Sequence, residues 1–249
     1  MDRFAIVTGT SRGIGESVAA QLVEHGWEVA GLARHQAPID HARYRHITID
    51  LEQPRALAET IERELGKRIA DPRWRRIGLV NNAAMGSALR PLEKIDPVEL
   101  SRVGVVNWVA PTWLMGFVIR RACPDAALRI VNVSSGAAVR AFAGLADYCG
   151  SKAALRMTGM ALAAELDSEL RTTPAPRDTA ILSYEPGTVD TAMQEAARTK
   201  PLTEYPWGQP FRDFHAKGAL VPPAAPAKEI VEFLESDGHP RFIERRLGR

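Results

Sequence analysis

The chain has 249 residues, 45% hydrophobic and 25% charged, an ordinary globular composition that suits one large α/β domain. Its 32 basic and 30 acidic residues form no run of like charge that would follow a nucleic-acid backbone, so we expect no nucleic-acid partner. The start leaves no room for a signal peptide and no segment reaches membrane-spanning length, so we expect a cytoplasmic protein without a membrane partner. Two cysteines, Cys123 and Cys149, make neither a disulfide framework nor a metal cluster, and no metal is expected.

Short apolar runs alternate with longer segments of helical periodicity, the pattern of parallel strands joined by crossover helices. Strands are predicted at 4–8, 28–33, 44–49, 78–81, 129–134 and 179–184, with a short last one at 241–244. Helices are predicted at 14–25, 54–69, 97–122, 147–169 and 225–236. The pattern predicts a single-domain Rossmann fold over 1–249, a doubly wound parallel sheet of about seven strands with helices on both faces.

The segment 192–226 interrupts this alternation. It is rich in proline and contains four aromatic residues: Tyr205, Trp207, Phe211 and Phe214. A long aromatic insertion before the last helix indicates a substrate lid. The alternative is a surface excursion packed on its own side chains.

A glycine-rich turn follows the first strand. Gly9, Gly13 and Gly15 lie between that strand and the first predicted helix, whose N-terminal amides would face an anion. Glycines let the backbone approach a diphosphate closely. The turn predicts a dinucleotide site, and a purely structural turn is the alternative.

The end of the second strand bears on cofactor choice. A carboxylate commonly binds the adenosine ribose of NAD at this point, but here the strand ends in Arg34. Arg34 and Arg12 would offer guanidinium groups to a 2′-phosphate, which favours NADP(H). Either arginine alone would be an ordinary surface residue.

Candidate catalytic groups occur in the fifth strand and the helix after it. Tyr148 and Lys152 are four residues apart and share a helix face, so we expect the lysine to lower the tyrosine pKa. Ser135 follows the fifth strand, at the sheet edge where ligands bind. Asn107, in an apolar helix, is either a further site residue or a buried structural asparagine.

Together these motifs resemble those of the short-chain dehydrogenase/reductase family: the glycine turn, Asn81-Asn82-Ala83-Ala84, Ser135 with Tyr148 and Lys152, and Pro186-Gly187 with Thr191. The resemblance implies that Ser135 binds the substrate carbonyl, Tyr148 is the acid/base, Lys152 assists it and Asn107 holds a water relay. It also implies a homodimer or homotetramer. The cofactor residues it implies are Gly9, Ser11, Arg12, Gly13, Ile14, Gly15, Arg34, Asp50, Leu51, Asn82, Ala83, Tyr148, Lys152, Pro186, Gly187, Val189 and Thr191. The substrate residues it implies are Ser135, Tyr148, Gly187 and Gln194.

Within that family, 183–194 and 216–221 resemble the sepiapterin reductases and the related bacterial benzil reductases. By the same resemblance, Arg241 replaces the aspartate that binds the pterin in sepiapterin reductases. A pterin would therefore lose its carboxylate partner here, unless Glu244 supplies one. We therefore expect an NADPH-dependent oxidoreductase that reduces a small ketone or dicarbonyl to the alcohol. A 3-ketoacyl-carrier reductase and an NADP(H)-binding sensor or scaffold without turnover are the alternatives.

Overall fold

Apolar runs form the strands of one parallel sheet in the computed structural model, which describes residues 2–172, 175–176 and 178–248. The strands are β1 (Arg3–Thr8), β2 (Glu28–Ala33), β3 (Tyr44–Thr48), β4 (Arg76–Asn81), β5 (Ala127–Val133), β6 (Thr179–Glu185) and β7 (Phe242–Arg246). In the described part of the chain they pair in the order β3-β2-β1-β4-β5-β6-β7, all parallel. The fold class predicted from the sequence is confirmed.

Helices cover both faces of this sheet. They are α1 (Gly13–Glu24), α2 (Pro54–Ile69), α3 (Pro97–Gly104), α4 (Ala110–Arg121), α5 (Ala146–Asp167), α6 (Ala192–Thr199), α7 (Gln209–Ala216) and α8 (Ala224–Glu235). Within β1, Phe4 and Ile6 join the core under α2, α4 and α5, whereas Ala5 and Val7 join the core under α1 and α8. Strands buried on both faces need apolar residues at nearly every position, which is why their sequences are continuous apolar runs.

The strand order changes direction beside β1. The chain builds β2 and β3 outward on one side and then returns to place β4 on the other side. In such sheets a crevice opens at the carboxyl ends of the two strands where the order reverses, and ligands bind there.

The predicted helix 97–122 has an internal irregularity. Asp96 accepts hydrogen bonds from the backbone amides of Val98 and Glu99 and so caps α3. A π-helical turn (Val105–Val109) then joins α3 to α4. Such turns are rare and often mark functional positions.

The same helical stretch, Pro97–Arg121, is long and apolar enough by length and composition to cross a membrane, with 25 residues and a hydropathy of 1.3. The expectation that no segment reaches that length is therefore wrong. However, 56% of its most apolar window is buried inside the protein, and Leu114, Phe117 and Val118 lie in the core. A core helix of a soluble fold accounts for this apolar composition.

Several other boundaries differ from the sequence prediction by one or two residues, and the insertion differs in its content. Strand β4 begins at Arg76, two residues early, because the buried guanidinium of Arg76 donates to the carbonyls of Leu234 (3.1 Å) and Ser236 (2.8 Å). A charged residue is tolerated in a buried strand when its donors are satisfied. The segment 192–226, predicted only as an insertion, contains the short helices α6 and α7.

Candidate active site

The glycine turn has no room for side chains. Gly9 and Gly13 have φ of +74° and +67°, a conformation that favours glycine. A Cβ on Gly9 would lie 2.8 Å from Nδ2 of Asn82, and one on Gly15 would collide with Asn82 and with the carbonyl oxygen of Gly9. Helix α1 begins at Gly13, so its first amides face the turn. This arrangement fits the diphosphate of a dinucleotide.

Asn82 and Thr8 join the ends of β1 and β4 at this turn. The Asn82 side chain donates to the carbonyls of Thr8 (2.9 Å) and Gly9 (3.3 Å). In return, the hydroxyl of Thr8 accepts from the amides of Asn82 (3.0 Å) and Ala83 (2.9 Å). Asn82 thus holds the turn in shape, and Ala83 is fixed beside it.

The adenosine end of the predicted cofactor site carries two arginines. Arg12 is exposed immediately before α1. Arg34 follows β2, its side chain is 57% exposed, and its guanidinium lies 3.6 Å from a carboxylate oxygen of Glu52. That carboxylate is bound more closely by Arg102, at 2.6 Å, and this hydrogen bond lowers the pKa of Glu52. In the described part of the chain, Glu52 is the one carboxylate within 4.0 Å of Arg34, and Arg102 binds the same carboxylate more closely.

Residues of the β3–α2 loop lie beside these arginines. Asp50 accepts a hydrogen bond from the amide of Glu52 at 3.0 Å, and Leu51 is buried. Ser11 and Ile14 belong to the glycine turn itself. The structure thus gathers the predicted adenosine and diphosphate residues along one edge of the sheet.

Three of the four predicted catalytic residues, Ser135, Tyr148 and Lys152, converge at the carboxyl edge of β5. Ser135 follows β5 and caps a short 3₁₀ turn, accepting from the amide of Ala137 at 3.2 Å. Tyr148 lies in the first turn of α5 and Lys152 one turn later. Lys152 is buried, and its Nζ donates to the carbonyl of Val133 at 2.8 Å. The lysine is therefore anchored to the end of the strand that leads to Ser135.

The pKa expected for Tyr148 is wrong in this structure. Burial raises the pKa of Tyr148 to about 12, and a hydrogen bond with Ser135 opposes that shift. Burial also lowers the pKa of Lys152 to about 8. The lysine Nζ lies 5.6 Å from the centre of the tyrosine ring. Loss of hydration on burial disfavours both charged forms and is the largest cause of both shifts.

Asn107 lies in the π-helical turn and is buried. Its Oδ1 accepts from the amide of Met85 at 2.7 Å, while its Nδ2 donates to the carbonyl of Met85 (2.9 Å) and to the hydroxyl of Ser151 (3.1 Å). The side chain thus ties the loop after β4 to α5. These contacts fit a buried asparagine with a structural role, one of the two interpretations given by the sequence. The water relay stays a prediction.

Asp147 is a residue of this region that the sequence reasoning missed. It is buried, and its carboxylate accepts from the hydroxyl of Ser87 (2.5 Å), the amide of Ala88 (3.1 Å) and the amide of Tyr148 (2.8 Å). It joins the loop after Asn82 and Ala83 to the first turn of α5. The sequence offers one indication of this role: Asp147 is an acidic residue in the first turn of the helix that carries Tyr148.

The loop after β6 lies against the glycine turn. Gly187 has a φ of +74°, and Val189 forms a parallel bridge with Val221. Thr191 caps α6, and its methyl group lies 3.5 Å from the position of a Cβ on Gly13. The predicted motif from Pro186 to Thr191 therefore borders the same crevice.

Gln194 is buried and holds the lid segment together. Its Nε2 donates to the carbonyl of Phe211 at 2.8 Å, and its Oε1 accepts from Arg198. These contacts join α6 to α7. Contact of Gln194 with a substrate stays a prediction.

The lid segment packs on the catalytic helix through Tyr205. The ring of Tyr205 is buried with Leu89 and Leu145, and Tyr148 and Cys149 pack against this group. Its hydroxyl donates to the carbonyl of Ala143 at 3.3 Å. The segment 192–216 therefore packs as a cover beside Tyr148, with Trp207 and Phe214 partly exposed. That 192–226 acts as a substrate lid stays a prediction.

Arg241 lies far from this site, so it does not replace a substrate-binding aspartate. Its carbonyl accepts from the amide of Ile181, and its side chain donates to Asp167 (2.9 Å) and to the carbonyl of Thr179 (2.8 Å). These partners mark the amino-terminal end of β6, roughly 20 Å from its carboxyl end at about 3.3 Å per residue. Glu244, in mid-strand, is paired with Arg156 at 2.6 Å. Both side chains are thus paired with residues of α5.

A family model for short chain dehydrogenases matches residues 3–202. The chain belongs to the short-chain dehydrogenase family. It is therefore an oxidoreductase of a family that binds nicotinamide cofactors, and the glycine turn fits that ligand.

Several relatives within the short-chain dehydrogenase family cover almost the whole chain. A benzil reductase ((S)-benzoin forming) from Bacillus subtilis is 30% identical, over 92% of this chain and 92% of that protein. The sepiapterin reductase of Bos taurus is 28% identical, over 94% of this chain and 90% of that protein. A short-chain dehydrogenase/reductase structure from Burkholderia vietnamiensis is 33% identical with a TM-score of 0.67, covering 79% and 88% of the two chains. The resemblance to the sepiapterin and benzil reductase group is confirmed.

Proposed function

We propose that this short-chain dehydrogenase uses NADPH to reduce a small ketone or dicarbonyl to the alcohol. The observation that carries the proposal is the convergence of Ser135, Tyr148 and Lys152 at the carboxyl edge of β5, next to the glycine turn. The relatives named benzil reductase and sepiapterin reductase support a carbonyl substrate. The ordered cover at 192–216 supports a site from which water is partly excluded.

Each of the three residues has a separate task in this proposal. Ser135 donates a hydrogen bond to the carbonyl oxygen of the substrate, which polarises the carbonyl and fixes its orientation. Tyr148 donates its phenolic proton to that oxygen as negative charge develops there. Lys152, held on the carbonyl of Val133, stabilises the phenolate that remains. A bound nicotinamide supplies the hydride in such a reaction.

The cofactor would lie along the crevice, held by residues already described. The glycine turn would bind the diphosphate, Asp50 and Leu51 would border the adenine, and Gly187, Val189 and Thr191 would border the nicotinamide. Lys152 would also hold the nicotinamide end of the cofactor. Arg12 and Arg34 support NADPH over NADH because two guanidinium groups match a 2′-phosphate.

The test is the oxidation of NADPH and of NADH in the presence of benzil, sepiapterin, an acetoacetyl thioester and simple aryl ketones. We expect turnover of diketones with NADPH and its loss in Tyr148→Phe, which keeps the ring but removes the acid. Turnover confined to the thioester would favour a 3-ketoacyl-carrier reductase. NADPH binding without turnover of any carbonyl would favour a sensor or scaffold.

The helices after β4 and β5 support a homodimer or homotetramer. Leu100, Trp108 and Met157 are exposed on α3, the π-helical turn and α5, with 42% of Trp108 accessible. Exposed apolar residues that share one side of a protein are typical of an interface. Light scattering with size-exclusion chromatography of the wild type and of Met157→Glu tests this assignment, since a charge there would weaken association.

A further inference from the structure

Three charged side chains meet at the carboxyl edge of β5, β6 and β7. Glu185 ends β6, Arg140 lies in the loop after β5, and Arg246 ends β7. One carboxylate oxygen of Glu185, Oε1, lies 3.0 Å from Nη2 of Arg140 and 3.5 Å from Nε of Arg246. We call these three residues the edge triad. None of them has a role in the hydride transfer proposed above.

The edge triad lies directly beside the reacting groups. A Cβ on Gly136, the residue after Ser135, would collide with Arg140 and lie 2.9 Å from Oε1 of Glu185. The ion pair thus rests on the backbone next to Ser135. On its other side, Leu247 donates its amide to the carbonyl of Glu185 at 2.9 Å and lies near Gly187. The triad therefore lies between the serine and the loop that borders the nicotinamide.

The charges in the edge triad do not balance. Across the part of the chain that the structure describes, Glu185 is the one carboxylate within 4.0 Å of Arg140 or Arg246, and both arginines contact the same oxygen. The side chains of Arg140 and Arg246 are 52% and 45% exposed, against 22% for Glu185. One positive charge is left over, and both guanidinium groups are partly accessible to solvent. A guanidinium pair of this kind suits a carboxylate.

Apolar side chains are exposed on the neighbouring segments. Val139 and Phe142 are exposed on the loop that carries Arg140, and Met193 of α6 packs near Gly86. A ligand at Ser135 would therefore meet positive charge on one side and apolar surface on the other. A substrate bound there would have to combine a negative charge with an apolar group.

We propose that the substrate is a 2-oxo acid with an apolar or aromatic substituent, whose carboxylate is bound by Arg140 and Arg246. The ketone next to the carboxylate would face Ser135 and Tyr148, while the substituent lies against the apolar residues. This inference rests on the proposed function, because it names the substrate class of the same site. It makes the edge triad the specificity determinant of the reaction.

The test compares phenylglyoxylate with its methyl ester, two substrates that share the aryl ketone and differ in charge. In the wild type, kcat/KM is expected to be at least about tenfold higher for the acid. In Arg140→Gln and Arg246→Gln, the KM for the acid is expected to rise by about tenfold or more, with less than about twofold change for the ester. Arg63→Gln, on α2, is the matched control and is expected to leave both substrates unchanged.

Two other outcomes distinguish a failure of the 2-oxo acid assignment from a failure of the carbonyl reductase proposal. Turnover of the ester at a rate equal to or above that of the acid, or an equal effect of the arginine variants on both substrates, would overturn the assignment of a 2-oxo acid and leave the carbonyl reductase standing. Failure to turn over the acid, the ester and benzil with bound NADPH would overturn both proposals.

Discussion

Lys152 donates its hydrogen bond to the carbonyl of Val133, and its Nζ lies 5.6 Å from the centre of the Tyr148 ring. The lysine is therefore fixed by the strand that leads to Ser135, and not by a hydrogen bond to Tyr148. Its burial lowers its own pKa to about 8, well below the value of about 10.5 for a free lysine. A buried cation of this kind has consequences for stability that can be measured.

Replacing Lys152 with methionine should change how stability depends on pH in the cofactor-free protein. The folded pKa is lower than the unfolded one, so the unfolded chain binds more protons between about pH 8 and 10 and this group makes stability rise with pH there. The wild type is expected to gain on the order of 2 kcal/mol relative to Lys152→Met across that interval. Urea denaturation at the two pH values measures the difference. Parallel pH profiles for the two proteins would show that burial of Lys152 does not perturb its titration.

Removal of the Asp147 carboxylate should weaken both the fold and the reaction. In Asp147→Ala, the hydroxyl of Ser87 and the amides of Ala88 and Tyr148 lose their acceptor, at a cost of about 3 kcal/mol. Because Tyr148 follows directly, kcat is expected to fall more than the affinity for NADPH. Denaturation and steady-state kinetics measure the two effects.

The control for this prediction is Ser87→Ala, which removes one of the three donors. The double variant is expected to cost less than the sum of the single variants, because both changes delete the same hydrogen bond. Additive effects would contradict a direct coupling between Ser87 and Asp147.

Two glycine-to-alanine variants, one in the glycine turn and one in α3, test the predicted cofactor site. In Gly15→Ala, the new methyl group would collide with Asn82 and with the backbone of Gly9, so we expect a loss of about 2 kcal/mol and of NADPH binding. Gly104, in α3, has no atom within 4 Å of a Cβ position. Gly104→Ala is expected to stabilise the protein by about 0.5–1 kcal/mol with unchanged binding. Thermal denaturation and fluorescence titration with NADPH would distinguish them, and equal binding by both variants would contradict a cofactor role for the turn.

Arg34 is expected to decide between the two nicotinamide cofactors. Because Arg102 binds Glu52 more closely, Arg34 has donors left for a 2′-phosphate. In Arg34→Gln, the KM for NADPH should rise by about tenfold while that for NADH stays within about twofold. The ratio of the two KM values, with Arg63→Gln as control, measures this preference. A similar rise for both cofactors would mean that Arg34 does not recognise the phosphate.

Local sequence patterns were sufficient to predict the strands and the proximity of the candidate catalytic residues. Apolar runs fix the strands of a sheet buried on both faces, and carboxyl ends of parallel strands lie at one edge, so the proximity of Ser135 to Tyr148 and Lys152 was predictable. The packing of Tyr205 against Tyr148 was not predictable, because these two residues are distant in the chain. For the same reason no pattern indicated that Asp147 would bind Ser87, sixty residues earlier in the chain.

The position of Arg241 depends on the register of β7 against β6, which the sequence leaves open. Ile181 pairs with Phe242, so Arg241 falls at the amino-terminal edge, where Asp167 and Thr179 bind its guanidinium. Arg241→Ala should therefore lower stability by about 1–2 kcal/mol and leave the KM of every carbonyl substrate within about twofold of the wild type. Urea denaturation beside kinetics with benzil and sepiapterin measures both quantities. A selective gain in sepiapterin turnover by Arg241→Asp, with unchanged benzil turnover, would instead mean that the C-terminal strand adopts another register and brings residue 241 to the crevice.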